Sequence, residues 1–253
     1  MFNPFTGKTF KRSLSIGLGT AIAAVSLSNF SQVKVSFDNS DSLLSSVSFS
    51  ADSFLPGSAA QAQTVASRAD SWSSLESEII AEHSRVRQNP QSYIPLLEAY
   101  LATMNEDGHI VGGCGPRCIL TTREGRPAVQ EAIDFLRQQQ PVGARSASNN
   151  IAQAAKSHAL DQRGGQGGHV SSDGSNFMQR LSRFGVQNAG MGENFAYGPT
   201  DAQDVVMKLI IDDGVANRGH RTNIFASDWT SAGAGCGTHA AYRTVCVINY
   251  ATR

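Results

Sequence analysis

Lysine and arginine are nowhere clustered in this sequence, and their total of 21 is matched by 21 aspartates and glutamates. Without a basic run there is neither the electrostatic footprint of a nucleic-acid binder nor a polybasic patch for a membrane surface. Long apolar stretches are missing too. The best candidate, "SLSIGLGTAIAAVSL" at residues 13–27, is short and broken by serine and glycine, which excludes a confident membrane span. No G-x-S-x-G string supplies a serine nucleophile, and no two histidines stand at the one-helix spacing of H-E-x-x-H. No internal repeat marks the globular part.

What is present begins with an N-terminus unlike the rest. Lys8, Lys11 and Arg12 precede the apolar run, which reads as an export signal, and a Ser-rich, charge-poor stretch follows to about Gly57. Ala60-Gln61-Ala62 offers an A-x-A cleavage pattern ahead of Gln63; a cut nearer Ser28 or an uncleaved anchor are the alternatives. Residues 1–62 are therefore expected to be signal plus a disordered segment, and 72–253 the folded domain, outside the cytoplasm. Four cysteines suit an oxidising compartment. Cys236 and Cys246 bracket a turn between two extended segments and are expected to bridge. Cys114 and Cys118 in "GGCGPRC" are close enough for a small disulfide loop, and the segment lacks obvious further ligands for zinc.

From Trp72 the apolar spacing is mostly helical. Leu75, Ile79 and Val86 share one face of a helix that stops at Asn89-Pro90, and Tyr93, Leu97, Tyr100, Leu101 and Met104 recur at three-to-four spacing. Pro127 opens a helix through Val129, Ala132, Ile133 and Leu136, and Ser148 or Asn149 caps one through Ile151, Ala154, Ala155 and His158. Phe177, Met178, Leu181 and Phe184 mark another helix. Thr200 with Gln203 forms a capping box before Val205, Val206, Leu209 and Ile210. Strands are few and late: "ENFAYG", "TSAGAGCG" and "RTVCVINYA". Helices around a few antiparallel strands predict a layered α+β domain. His158 reads as a satisfied core histidine, His83 and His109 as surface groups, and His239 as a solvated turn residue.

Polar strings beside glycines stand out at "GGHVSSDGS" (His169), "MGENFAYG" (Glu193), "IIDDG" (Asp212, Asp213) and "RGHRTNIF" (His220). Spacing alone assigns them no metal. "GGH" after a helix ending "AAKSHALDQ", then "GEN", then "DDGVANRGHRTNIF", then "GCG" and "VCVINY", closely resembles the CAP superfamily, the secreted SCP/PR-1-like domains, in its prokaryotic branch. "EIIAEHSRVRQNPQSYIPLL" and "EAIDFL" extend the likeness over about Trp72 to Arg253. The resemblance implies an α-β-α sandwich with a three-stranded sheet and a cleft holding two histidines and two acids. His169 and His220 match the histidines and Glu193 the "GEN" glutamate. Asp212 or Asp213 stands where relatives carry a glutamate, with Asp212 slightly preferred, and the tryptophan of the relatives' "W-x-x-S-P-G-H" string is missing.

Neutral imidazoles suit zinc, with calcium or magnesium as alternatives, and neighbouring carboxylates either ligate or fix the ring tautomer. No organic cofactor is expected. The family implies an extracellular interaction or defence-type module, with an unknown protein, peptide or lipid as partner. The alternatives are a metal-dependent peptidase, with Glu193 as general base on water held by His169 and His220, and a lipid or sterol carrier.

Overall fold

The computed structural model describes residues 32–35, 47–50, 57–111, 119–187 and 189–252, so the expected Cys114–Cys118 bridge and the apolar run at 13–27 lie outside it. Among the described residues no helix is long and apolar enough to cross a membrane. The chain divides into two compact units, Met1–Gln63 and Thr64–Arg253. In the first, β1 (Gln32–Val35) pairs antiparallel with β2 (Val47–Ser50). The Ser-rich composition predicts no such order, but both segments carry β-branched or aromatic residues that favour strands.

Helix α1 (Gly57–Gln88) starts well before Trp72, running through the Ala60-Gln61-Ala62 pattern. It ends at Asn89, and a 3-10 turn at Pro90–Tyr93 leads into α2 (Ile94–Ala102). A two-stranded ladder, β3 (Ile110–Val111) with β4 (Ile119–Leu120), precedes α3 (Arg126–Gln138), whose first turn holds Pro127. Then come β5 (Ser146–Ala147), α4 (Asn149–Asp161) and α5 (Phe177–Arg183). The order continues with β6 (Met191–Tyr197), α6 (Ala202–Ile211), α7 (Gly219–Phe225), β7 (Ser231–His239) and β8 (Arg243–Ala251). Two caps differ from expectation. Asp201, not Thr200, caps α6 by accepting from the Asp204 N–H, the acid being one residue nearer the helix. Asn176 and Gln179 form a reciprocal capping box on α5.

The central sheet has four strands in the order β5-β7-β8-β6, one more than the family likeness implies, because the two residues of β5 pair parallel to the start of β7. Period-two alternation divides its faces. Ala232, Ala234, Cys236, Cys246, Ile248 and Tyr250 enter the main core with Ile79 of α1, Leu97 of α2, Ile133 of α3 and Leu209 of α6. Val245 and Val247 face the other way, onto Ala155 and Ala159 of α4. Helices thus cover both faces, an α-β-α sandwich. Full burial of each large aliphatic side chain contributes about 1.5–3 kcal/mol.

Cys236 and Cys246 sit opposite each other in the β7–β8 register and are disulfide-bonded, as their bracketing of a turn predicts. The backbone of Cys236 points away from β8: its N–H donates to Glu76 Oε1 at 2.7 Å, and its carbonyl accepts from Lys156 Nζ at 2.7 Å. One Lys–Glu pair therefore closes part of the β7 edge that would otherwise be open to strand pairing.

Three histidines show what the sandwich does to polar groups. His158 is fully buried, donating from Nε2 to the Gly168 carbonyl at 2.8 Å, and burial lowers its pKa. His239 is buried rather than solvated, because its ring takes the N–H groups of Ala241 and Tyr242 and reaches the Gln166 carbonyl. His83 is buried as well, between the Ile79 carbonyl at 2.9 Å and the Tyr250 hydroxyl at 3.0 Å. Its partner lies at the far end of the chain, so the sequence around His83 reads as surface.

Burial, opposed by the Ile79 hydrogen bond and reinforced by Arg145 and Arg87, pushes His83 from 6.5 down to about 3. The unfolded chain takes up a proton near 6.5 and the folded chain does not until about 3. Stability from this group is thus complete above the upper value and is lost as pH falls between the two, at a slope of up to about 1.4 kcal/mol per pH unit. Urea unfolding in EDTA at pH 7 and pH 4.5 should show a smaller acid loss in His83→Gln than in wild type. Equal losses would refute the assignment.

Candidate functional site

The site is assembled around β6, an edge strand whose residues alternate between two jobs. Glu193, Phe195 and Tyr197 share the face that α4 covers, and Phe195 and Tyr197 pack with Ala155 and Val247. Asn194 points through the opposite face.

His169 arrives on the glycine loop after α4, where Gly165 and Gly168 take φ of +102° and +99°, open to glycine and strained for other residues. Its Nδ1–H donates to Glu193 Oε1 at 2.9 Å. Glu193 is wholly buried at its side chain while that of His169 is 47% exposed, so the carboxylate stands behind the ring. Arg180 of α5, also buried, donates from Nη2 to both Glu193 oxygens at 2.8 and 2.6 Å. Its Nη1 holds the His169 carbonyl at 3.0 Å. One guanidinium thereby positions both members of the pair. Glu193 already accepts three of the roughly four hydrogen bonds a carboxylate can take, which is the arrangement of an orienting group rather than of a free general base.

His220 lies in the first turn of α7. Its Nδ1–H donates to Asp212 Oδ1 at 2.6 Å, and its backbone N–H donates to Asp212 Oδ2 at 2.9 Å. Asp212 ends α6 in the left-handed region, φ 57°, which aspartate tolerates better than most residues and which swings the carboxylate toward α7. Asp213 turns elsewhere, accepting from the backbone N–H groups of Arg123 and Glu124 at 2.7 Å each.

The loop between α6 and α7 is clamped by Arg218, itself left-handed at φ 49°. Its guanidinium reaches the Asp212 and Val215 carbonyls and pairs with Glu124 and Glu131, each at 2.6 Å. Arg218, then the Gly214 N–H, hold the Glu124 carboxyl down at about 2. At the other end of α7, the buried guanidiniums of Arg87 and Arg145 take the carbonyls of Asn223, Ile224 and Ala226, which the short helix leaves unpaired. Asn194 completes the seating: its Nδ2 donates to the His220 carbonyl at 3.0 Å, and its Oδ1 accepts from Asn223 at 2.9 Å. Glu193 and Asn194, adjacent in sequence and opposite in direction, thus act on different histidines.

Phe195 contacts both imidazoles, its ring centroid 4.7 Å from that of His169 and 5.6 Å from that of His220. The histidines therefore lie on one side of the molecule, no further apart than those separations added together. Neither Nε2 has a hydrogen-bond partner among the described residues. Among those residues no group of three or more His, Cys, Asp and Glu is placed to share a metal ion. Two nitrogen donors, each backed by a buried carboxylate, are what the geometry offers a cation. Glu193 and Asp212, each hydrogen-bonded to an Nδ1, fix the tautomer and direction of the two rings.

Sequence reasoning missed Arg180, Phe195 and the Arg218 clamp. Phe195 carried a signal, two residues beyond Glu193 on a strand. Arg180 carried none, since an arginine among "FMQRLSR" reads as a solvated helix position.

Residues 130–250 match the family model described as CAP, the cysteine-rich secretory protein family. No curated protein matches the chain. Similar solved structures include an extracellular SCP-domain protein from Bacillus anthracis, 20% identical with a TM-score of 0.36, over 49% of this chain and 38% of that one. An outer surface protein from Borrelia burgdorferi is 17% identical with a TM-score of 0.37, over 44% and 80%. A cysteine-rich secretory protein from Staphylococcus aureus is 12% identical with a TM-score of 0.33, over 50% and 37%. The matched part thus spans under two fifths of the Bacillus and Staphylococcus chains. Over residues 130–250, just under half of the chain, the sequence is similar to the CAP, cysteine-rich secretory protein, family.

Proposed function

We propose that this is an exported CAP-domain protein that binds a divalent cation, zinc by preference, between Nε2 of His169 and Nε2 of His220, and acts as an extracellular interaction or defence-type module. Export is supported by the N-terminal signal pattern, by the Cys236–Cys246 disulfide and by the secretory description of the family. One observation carries the cation reading: each imidazole is anchored at Nδ1 by a buried carboxylate, which leaves the lone pair on Nε2 and aims it outward. Two protein nitrogens leave the remaining zinc positions to water or a bound ligand. When bound, the cation would supply a Lewis-acid centre for an oxygen or carboxylate of that ligand.

Zinc titration of the purified protein at neutral pH, followed by calorimetry, tests this. One equivalent should bind to wild type, His169→Ala and His220→Ala should each weaken it by about a hundredfold, and acidification should release it because only neutral imidazole coordinates. Unchanged zinc stoichiometry and affinity in the double variant would overturn the proposal.

A further inference from the structure

The cleft beside His220 does not end there. It encloses about 350 Å³ with Arg123, Phe195, Asp212 and His220 in its wall. A second hollow of about 210 Å³ is walled by Tyr100, Met104, Leu120, Val129 and Ile211. Tyr197, Lys208 and Asp213 line both, so the two are parts of one groove, polar at the histidine end and apolar at the other.

The charges along this groove are not balanced alike. Lys208 is paired with Asp204 at 2.8 Å, Asp212 with His220, and both oxygens of Asp213 are taken by backbone N–H groups. Arg123 is different: it is exposed, it has no ion pair among the described residues, and its aliphatic stem lies flat on Gly214, where a Cβ would come within 2.4 Å of Arg123 Cδ. A guanidinium left free in a cleft is a seat for a carboxylate, which it binds through two parallel hydrogen bonds. The apolar hollow is smaller than the roughly 300–1,000 Å³ of sites that take a whole small molecule, and it suits a single large side chain. Burial first, then the charges of Asp204 and Asp213, raise Tyr100 to about 12, so its hydroxyl remains a donor in the hollow.

We infer that the groove binds the C-terminal residue of a peptide, its carboxylate on Arg123 and its large apolar side chain in the hollow between Tyr100, Leu120 and Val129. The seat adjoins the proposed cation without depending on it. A fatty acid offers the same carboxylate, but its chain exceeds the hollow.

The test is fluorescence anisotropy with the full chain, in EDTA and again with zinc, using a labelled peptide that ends in phenylalanine. In EDTA the free acid should bind about tenfold more tightly than the same peptide amidated, or ended in serine. Arg123→Gln should bind acid and amide alike, Arg123→Lys should recover part of the difference, and Thr121→Trp, an exposed change at the rim of the hollow, should weaken the phenylalanine peptide alone. Equal affinity for acid and amide in wild type would overturn the inference. Capture seen only with zinc would assign it to the cation, and tighter binding of octanoate than of the peptide would assign it to a lipid; either also overturns it. Zinc affinity measured on the same Arg123 variants tells failure of this seat from failure of the histidine site.

Discussion

Gly235→Ala should cost at least about 3 kcal/mol of stability, whereas Gly237→Ala, two residues along the same strand and on the same face, should cost little. A Cβ built on Gly235 would lie 2.1 Å from the Lys156 nitrogen and 2.3 Å from its Cα, both backbone atoms of α4. No side chain can swing aside, so the whole helix must lift. Lifting it separates Ala155 and Ala159 from Val245 and Val247 and pulls Lys156 off the Cys236 carbonyl. Inserted carbon in a packed core ordinarily costs about 1–3 kcal/mol, and a clash with backbone lies at or beyond the upper end. At Gly237 the nearest atom is the Ala159 carbonyl oxygen at 3.5 Å, ordinary contact. Urea denaturation of both variants decides the matter. A Gly235→Ala midpoint equal to that of Gly237→Ala would mean that α4 does not ride on the strand backbone.

That close approach shows where sequence reading stops. The string "TSAGAGCG" is legible as extended chain, and Ile151, Ala154 and Ala155 are legible as one helical stripe. Both follow from local periodicity. Nothing local says that the glycines of the strand exist to receive the backbone of that helix, because the reason for them lies some eighty residues away. The same distance hides the buried polar groups. His83 reads as a surface residue yet meets the hydroxyl of Tyr250, and nothing local to Arg87 or Arg145 points to their partners, the carbonyls ending α7.

The candidate site divides likewise. His169, Glu193, Asp212 and His220 are picked out by likeness to a family and not by any spacing between them. Their arrangement in two pairs depends on β6 pointing Glu193 and Phe195 one way and Asn194 the other, and on Asp212 adopting a left-handed backbone. Strand alternation was available from "ENFAYG" itself. The left-handed turn was not, since a doubled aspartate offers two candidates and only the folded loop separates them.

Arg180→Met is the second substitution with a large expected effect. Arg180 and Glu193 are both buried and joined by two hydrogen bonds, so each charge is tolerated only because of the other. Removing the cation leaves a carboxylate out of water with His169 as its remaining side-chain partner, and frees the His169 carbonyl that Arg180 also held. Breaking such a pair from one side costs about 3–5 kcal/mol. Replacing both ends by apolar residues, Arg180→Met with Glu193→Leu, removes the stranded charge as well as the attraction, and should return most of that loss. The two variants separate stability from function. In the double variant His169 loses the carboxylate that aims its Nε2, so zinc affinity should fall about 10–100-fold even where stability is restored. Full zinc affinity in the stable double variant would show that the Glu193 carboxylate is a strut between loops and takes no part in presenting the imidazole.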